Sequence, residues 1–507
     1  MRALQFLPLL LFVGCAKDDG IPRGGDVLLI VVDTLRADAL SCYGNPAPTT
    51  PNLDALAADG IRFDEVLTQA PNTATSHATL FTGLYPWTHG VANLTSLEHG
   101  TSGLPPTFTT LAERFAAAGY RTAAFTDGGP LGRAWNLMQG FETLAGKFEG
   151  IGPKVDQLLA YLDEEGTGGA PQFLMLHTYE VHEPYLPPPN FAARFRSNPD
   201  YDGVIKPSEA AARALRASGG ELEPNGKLLF EHQADFGPDD VRYLWDLYLG
   251  EVGYADSELG RLFAALRASG RFEDMTILVT SDHGEEFGEH GAFGHVALNR
   301  ETLHVPLILH LPRGSYDDWR GRAVDVRVNQ VDAHATLLSL LDADWPVDAG
   351  RSFFGDLAAG AFGERTSFAE TTEAIFGEHF GTYQLRFQRS VRLGKYALLE
   401  SEGGGTLTRE LVPARQRLAP LERAPAALLG STLPGEVVGD RSLDPILAEL
   451  AQRVTRHLAH AQQLRQDLLA GQDTVFRYEV DGDVRSELQA LGYLEGQPAP
   501  KKQPAGE

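Results

Sequence analysis

Five near-continuous apolar runs punctuate the chain: DVLLIVVD, YRTAAFTD, QFLMLHTY, TILVTSDHG and VPLILHLP. Runs of this length without alternation mark strands buried on both faces, the habit of parallel sheets. Between them the apolar spacing shifts to a helical period. TTPNLDALAADG offers Thr50 as a cap, Pro51 in the first turn and Gly60 as a stop. LPPTFTTLAERFAAAGY and YLWDLYLGEVGYADSELGRLFAALRASG continue the series. Strands alternating with helices predict an α/β sandwich, a central and mostly parallel sheet flanked by helices.

Beyond about Trp345 the pattern changes. FQRSVRLGKYALLE reads as short strands and Gly403 to Gly405 as a turn. LDPILAELAQRVTRHLAHAQQLRQDLLA reads as an amphipathic helix with Ile446, Leu450, Val454 and Leu458 on one stripe. The stripe is core packing, and His457 and His460 beside it are surface or satisfied side chains rather than ligands. The expected division is a catalytic domain over residues 26–345, a smaller α+β subdomain over 346–495 and a polar, Pro-rich disordered tail over 496–507. No internal repeat is visible.

The N-terminus adds an address. MRALQFLPLLLFVGC joins a basic residue, a short apolar run and a small residue before Cys15, which predicts an export signal over residues 1–15. Its end, Phe-Val-Gly-Cys, resembles a bacterial lipoprotein cleavage site, so Cys15 becomes a lipidated anchor and residues 16–25 a tether. The expected location is the bacterial envelope, as a periplasmic or outer-membrane lipoprotein; Ala16 favours the outer membrane in a Gram-negative cell. The other reading is a secreted protein with an incidental cysteine. With Cys15 lipidated only Cys42 remains, which excludes an intrachain disulfide. A formal net charge of -25 excludes a nucleic-acid backbone as partner, and no internal apolar run is long enough to span a bilayer.

Chemistry gathers at one edge of the expected sheet. Asp33, His177, Asp282 and His283 each stand at or just beyond the carboxyl end of a strand, where open α/β sheets bind ligands. Asp33, Asp282 and His283 make a mixed oxygen and nitrogen set suited to Zn²⁺, Mn²⁺ or Ca²⁺. In QAPNTATSHATLFTGLYP, Thr73 precedes the helical-looking SHATLF, so its hydroxyl lies near a helix N-terminus that favours phosphate or sulfate. Beside a divalent cation such a hydroxyl can attack a bound ester. Thr is equally at home as a helix cap, and the loop alone leaves both readings open. Glu285, Glu286, Glu289 and His290 invite a metal reading too, though a solvated acidic loop is the plainer one.

Five segments occur in the order found in the sulfatase family: LLIVVDTLRADALSCYG, TTPNLDALAADGIRF, the Gln69 to Val91 loop, LHTYEVHEPY and TSDHGEEFGEHG. The chain resembles that family, part of the alkaline-phosphatase-like superfamily of metal-dependent ester hydrolases, from about Asp26 to Asp342. The likeness continues more weakly to LQALGYL near Leu488. Sulfatases carry Cys-x-Pro-x-Arg with the Cys nine residues before a Thr-Gly pair; here Thr73 stands nine residues before Thr82-Gly83. Thr cannot become formylglycine, because its β-carbon bears a methyl group. The Pro and Arg positions hold Thr75 and His77, so no formylglycine is expected.

The resemblance implies that Asp33, Asp282, His283 and Thr73 hold one metal ion, with Thr34 where a second Asp often stands. His283 replaces the Asn of many sulfatases and looks more like phosphatase, phosphodiesterase and phosphoethanolamine-transferase relatives. His182 matches the substrate-side histidine, and His295 falls near a position where sulfatases place Lys. The implied mechanism is a two-step displacement with Thr73 as nucleophile. His182 and His295 bind the anion or protonate the leaving group, and His77 supports Thr73. His177, Glu180 and His295 stand as an alternative second metal site. Arg36 either braces the site or touches substrate, or forms a structural ion pair. The expected activity is hydrolysis of phosphate or phosphonate mono- or diesters, and of sulfate esters beside them. Two alternatives stay open: a phospho-substituent transferase acting on an envelope glycan or lipid, and an inert anion-binding protein.

Overall fold

The structure, a computed structural model, describes residues 20–413, 444–469 and 477–478. Within the first span, residues 92–94, 97–99, 133–134, 167, 206–235, 291–292, 296, 343–348, 378–381 and 404–405 are not described. The export signal, Cys15, the first part of the tether, LQALGYL and the tail over 496–507 therefore lie outside the described residues, as does the middle of the insert between Phe191 and Asp240.

All five apolar runs form strands of one sheet. They are β1 (Val27–Val32), β3 (Arg121–Thr126), β5 (Gln172–Thr178), β6 (Thr276–Thr280) and β7 (His304–His310). Three further strands extend it: β2 (Ile61–Leu67), β4 (Thr143–Gly146) and β8 (Arg322–Val324). The order is β8-β2-β7-β6-β1-β5-β3-β4, with the short strand Val328–Asn329 also on β2. β7 runs antiparallel to both neighbours, while β1 is parallel to β5 and β6. The sheet is thus mostly parallel, with β1 near its centre.

Strand alternation explains the layers. In β1, Val27, Leu29 and Val31 face a cluster with Ala74, Ala78 and Phe81 of helix α2 (Thr73–Thr82), Leu111 and Phe115 of α3 (Leu111–Ala117) and Leu337 of α6 (Gln330–Leu338). Leu28, Ile30 and Val32 face the other way. They meet Leu53 and Leu56 of α1 (Pro51–Asp59), Val155 and Leu158 of α4 (Ile151–Glu165), and Leu259 and Phe263 of α5 (Pro238–Ala268). Each such side chain contributes roughly 1.5–3 kcal/mol by leaving water. Both faces are covered, which is why β1 reads as a run without alternation. Thr50 precedes α1 as expected, but its hydroxyl serves Asp54 Oδ1 at 3.0 Å instead of capping the backbone.

The second sheet is antiparallel: β9 (Ser367–Gly377), β10 (Thr382–Leu393), β11 (Tyr396–Gly403) and β12 (Thr406–Pro413) in sequence order. Helix α7 (Asp444–Leu469) seats Leu450 and Val454 against Val391 and Leu398 of this sheet. His457 is satisfied as expected, stacked on Phe368 and bonded to Glu370 Oε1 at 3.0 Å.

Candidate active site

β1 ends at Val32, and Asp33 follows with its N–H on Thr178 O at 3.0 Å. Parallel pairing sets Val31 opposite His177 on β5, and Asp282 and His283 follow β6 on the other side. Three adjacent strands thus deliver Asp33, His177, Asp282 and His283 to one edge, each with no solvent exposure. Oxygens of Asp33 and Asp282 and a ring nitrogen of His283 all lie within 4.8 Å of one another.

Helix α2 brings the fourth group. Asn72 caps it, accepting from Thr75 N at 3.2 Å, so Thr73 is its first residue. The whole helix is buried despite its hydroxyls, because those turn inward on backbone carbonyls: Ser76 to Ala70 O at 2.7 Å and Thr82 to Ala78 O at 2.6 Å. Thr73 points elsewhere. Its Oγ1 lies 3.2 Å from Asp33 Oδ2 and 3.3 Å from His283 Nε2. His77, one turn on, holds Thr73 O through Nδ1 at 2.9 Å and stands 3.4 Å from Asp282 Oδ2. His177 Nε2 stands 3.4 Å from Asp33 Oδ2.

A divalent cation fits this donor set. Asp33 Oδ1 and Asp282 Oδ2 are buried without a hydrogen-bond partner among the described residues, a costly state for carboxylates unless a positive charge satisfies them. Burial first, and Asp282 second, push the Asp33 carboxyl well above its usual range. Asp282 meets the same burial, but the imidazoles of His283 and His77 hold it below the carboxylate range. Burial keeps His77 and His177 below the usual histidine value and pushes His283 down to about 4, so these rings are neutral, the state a metal-binding or acceptor imidazole needs.

A second group of side chains faces the first. The His295 ring lies 4.5 Å from that of His283 and 5.1 Å from that of His182. His182 Nδ1 is engaged with Glu183 O at 2.7 Å, and burial pushes the ring down to about 4. His295 differs. Burial works against its charge, but Glu285, whose Oε1 lies 3.1 Å from Nδ1, raises it above the usual value. Glu285 is fully buried and Glu286 is 1% exposed, so the solvated acidic loop expected over this segment is not what forms. The segment folds inward, as the short ribbon of Glu286–Phe287 and Phe293–Gly294.

Two expected residues are occupied otherwise. Glu180 Oε2 accepts from Ile151 N at 3.2 Å, at the start of α4, and His295 pairs with Glu285. The structure therefore does not assemble His177, Glu180 and His295 into a metal site. Arg36 takes the ion-pair reading: its guanidinium bonds Asp38 through Nε and Nη2 at 2.9 and 2.8 Å and Glu289 through Nη1 at 2.5 Å. Thr34 turns its hydroxyl to Val181 O at 3.0 Å. The sequence named Glu285 only as part of an acidic loop and not as the partner of His295, and it gave no role to Asn72, the cap that sets Thr73 in place. An N-cap residue before a helix start was a usable signal for Asn72; nothing local pointed Glu285 at His295.

The chain is similar to known proteins. The sulfatase family model matches residues 25–343. A multifunctional alkaline phosphatase superfamily protein, PehA of Trinickia caryophylli, is 26% identical over 410 residues, covering 66% of this chain and 77% of that protein. Human iduronate 2-sulfatase is 25% identical over 337 residues, 57% of this chain and 60% of its own. Among solved structures, a phosphonate monoester hydrolase of Agrobacterium radiobacter superposes with a TM-score of 0.63 at 22% identity, covering 86% of this chain and 96% of its own. With the family model matched over that length, the chain belongs to the sulfatase family of ester-bond hydrolases.

Proposed function

We propose that the protein is a metal-dependent hydrolase of phosphate or phosphonate mono- or diesters, with sulfate esters as a secondary substrate class, and that Thr73 is its nucleophile. One observation carries this reading: the Thr73 hydroxyl is buried at a helix N-terminus, 3.2 Å from Asp33 and 3.3 Å from His283. Asp33, Asp282 and His283, with Thr73, would hold the cation, Zn²⁺, Mn²⁺ or Ca²⁺. When bound, it supplies positive charge to the anionic ester and to the charge that develops as the ester bond breaks.

The chain's own groups account for the remaining steps. Thr73 Oγ1 attacks phosphorus, and Asp33 Oδ2, which accepts its hydrogen bond, takes the proton. The N-terminus of α2 lies at Thr73 and favours the non-bridging oxygens. As the bond to the leaving oxygen breaks, His295 donates the proton from its ring, oriented by Glu285. Water then attacks phosphorus, giving its proton to the His295 ring, while the bond to Thr73 breaks and Oγ1 regains the proton held on Asp33 Oδ2. His77 keeps Thr73 in register through the Thr73 carbonyl. Phosphorus is favoured over sulfur because Thr cannot supply the aldehyde hydrate on which sulfatases rely. The multifunctional relative and the phosphonate hydrolase neighbour support the same leaning.

The test is turnover of aryl phosphate, phosphodiester, phosphonate and sulfate esters by wild type and Thr73→Ala. The variant should lose roughly 10⁴-fold or more in kcat, the scale seen when a nucleophile is deleted, and mass spectrometry should find a covalent adduct on Thr73 of wild type alone. Full turnover by Thr73→Ala would overturn the assignment. We further propose export and lipid anchoring at Cys15 in the bacterial envelope. Cys15→Ser should then release the protein from the membrane fraction, and unchanged fractionation would refute it.

A further inference from the structure

We infer that Glu286, His290 and Glu301 form a second divalent-cation site, separate from the one at Thr73. One oxygen of each carboxylate and a ring nitrogen of His290 lie within 4.8 Å of one another. Glu286 and Glu301 are 1% and 3% exposed, whereas His290 reaches solvent, so an ion has a way in. The half of the cluster made by His290 Nε2 and Glu301 Oε2 closes at 2.9 Å. Glu286 spends Oε1 on Asn299 Nδ2 at 2.8 Å and keeps Oε2 buried with no hydrogen-bond partner among the described residues. A buried carboxylate oxygen in that state calls for a proton or a cation.

Charge around the cluster favours the cation. Glu286, Glu289 and Glu301 crowd the His290 imidazole, and the Arg36 guanidinium is already shared between Asp38 and Glu289. The neighbouring Arg300 is taken by Glu65, at 2.5 and 3.0 Å. Two carboxylates and an imidazole suit Zn²⁺ or Mn²⁺. Such an ion would tie the ribbon at Glu286 to the segment before β7. That segment packs on the active site, since Gly284 N bonds Thr302 O at 2.8 Å and a Cβ at Gly284 would meet Glu301 O at 2.0 Å.

The experiment counts ions. The full chain is loaded with Zn²⁺ or with Mn²⁺, freed of excess by gel filtration, and measured by elemental mass spectrometry. Wild type should carry two ions per chain, Glu286→Gln and His290→Gln one each, and Asp282→Asn one. Zn²⁺ should also raise the midpoint of thermal unfolding of Glu286→Gln by less than it raises that of wild type. His290 is solvent-reaching, so His290→Gln reports even where the buried Glu286 variant fails to fold. A single ion in wild type, or two ions retained by His290→Gln, overturns the second site. The Asp282→Asn count keeps that outcome distinct from failure of the first.

Discussion

Thr34 occupies the left-handed region at φ 53, a conformation that β-branched residues avoid. The cost, on the order of 1–3 kcal/mol, falls beside Asp33, and the structure holds it with two bonds. Thr34 N meets Asp282 Oδ1 at 3.3 Å and its hydroxyl meets Val181 O. The strain turns the chain sharply after β1 and brings the Asp282 carboxylate against it. No pattern in LLIVVDTLRAD reveals this, because the sequence shows which residue follows Asp33 but not the bend between them. Glu285 is a second case. It touches no reacting atom in the proposed reaction, so it is a positioning residue for His295. Glu285→Gln should therefore depress kcat selectively for poor leaving groups. A loss of roughly 10²-fold or more is expected with alkyl esters, against a much smaller one with nitrophenyl esters, whose leaving oxygen needs no proton. A merely structural role would slow both alike, so comparing the two substrate series decides it.

Helix α2 shows how much of an element its sequence carried. SHATLF read as helical, and the helix ends at Gly83, which sits at φ 70 as a C-cap must, with its N–H on Thr79 O at 2.8 Å. What could not be read is the neighbour. A Cβ at Gly83 would meet His334 Cδ2 of α6 at 2.5 Å, and His334 is fixed by Leu80 O at 2.9 Å. Gly83→Ala therefore combines backbone strain with overpacking and should cost roughly 1–3 kcal/mol; thermal unfolding within error of wild type would contradict the cap. The strands were legible for the opposite reason. β1, β5 and β6 are buried on both faces, so their apolar runs are uninterrupted. β2 escaped notice, since IRFDEVL sets Arg62 and Asp64 between apolar residues where only one face is buried. Helix α4 escaped too, beginning Ile-Gly-Pro after a Gly cap without a side-chain bond. Asp33 and Asp127 both follow strands. Asp127 accepts from Gly150 N, Thr178 Oγ1 and Tyr179 N and is wholly spent on structure. Only the fold separates the two aspartates.

For the molecule as a whole, histidines buried far from the site set the response to acid. His89 accepts Val91 N on Nδ1 at 3.1 Å and donates from Nε2 to Thr79 Oγ1 at 3.1 Å. His304 donates from Nε2 to Asp64 O and presents Nδ1 to the Arg300 guanidinium at 3.2 Å. His334 gives Nδ1 to Leu80 O. In each ring a second proton would meet a donor, a cation or a dry wall. Burial, first, and for His89 and His304 a nearby arginine, lower them to about 3 for His89 and about 4 for His304 and His334. A base whose folded pKa is depressed binds its proton more readily when unfolded. Stability is therefore complete above the ordinary value near 6.5 and is lost as pH falls from there toward 4. Glu65, pulled down to about 2 against its burial by His304 and Arg300, adds its own loss only below about 4.5. Each histidine tilts the unfolding free energy by roughly 1.4 kcal/mol per pH unit inside its window. Such a slope is large against a total of roughly 5–15 kcal/mol. Denaturant unfolding from pH 7 to pH 5 should show this slope. His89→Asn, whose side-chain oxygen can accept from Val91 N but cannot titrate, should flatten it by about one proton, and an unchanged slope in that variant would remove His89 from the account.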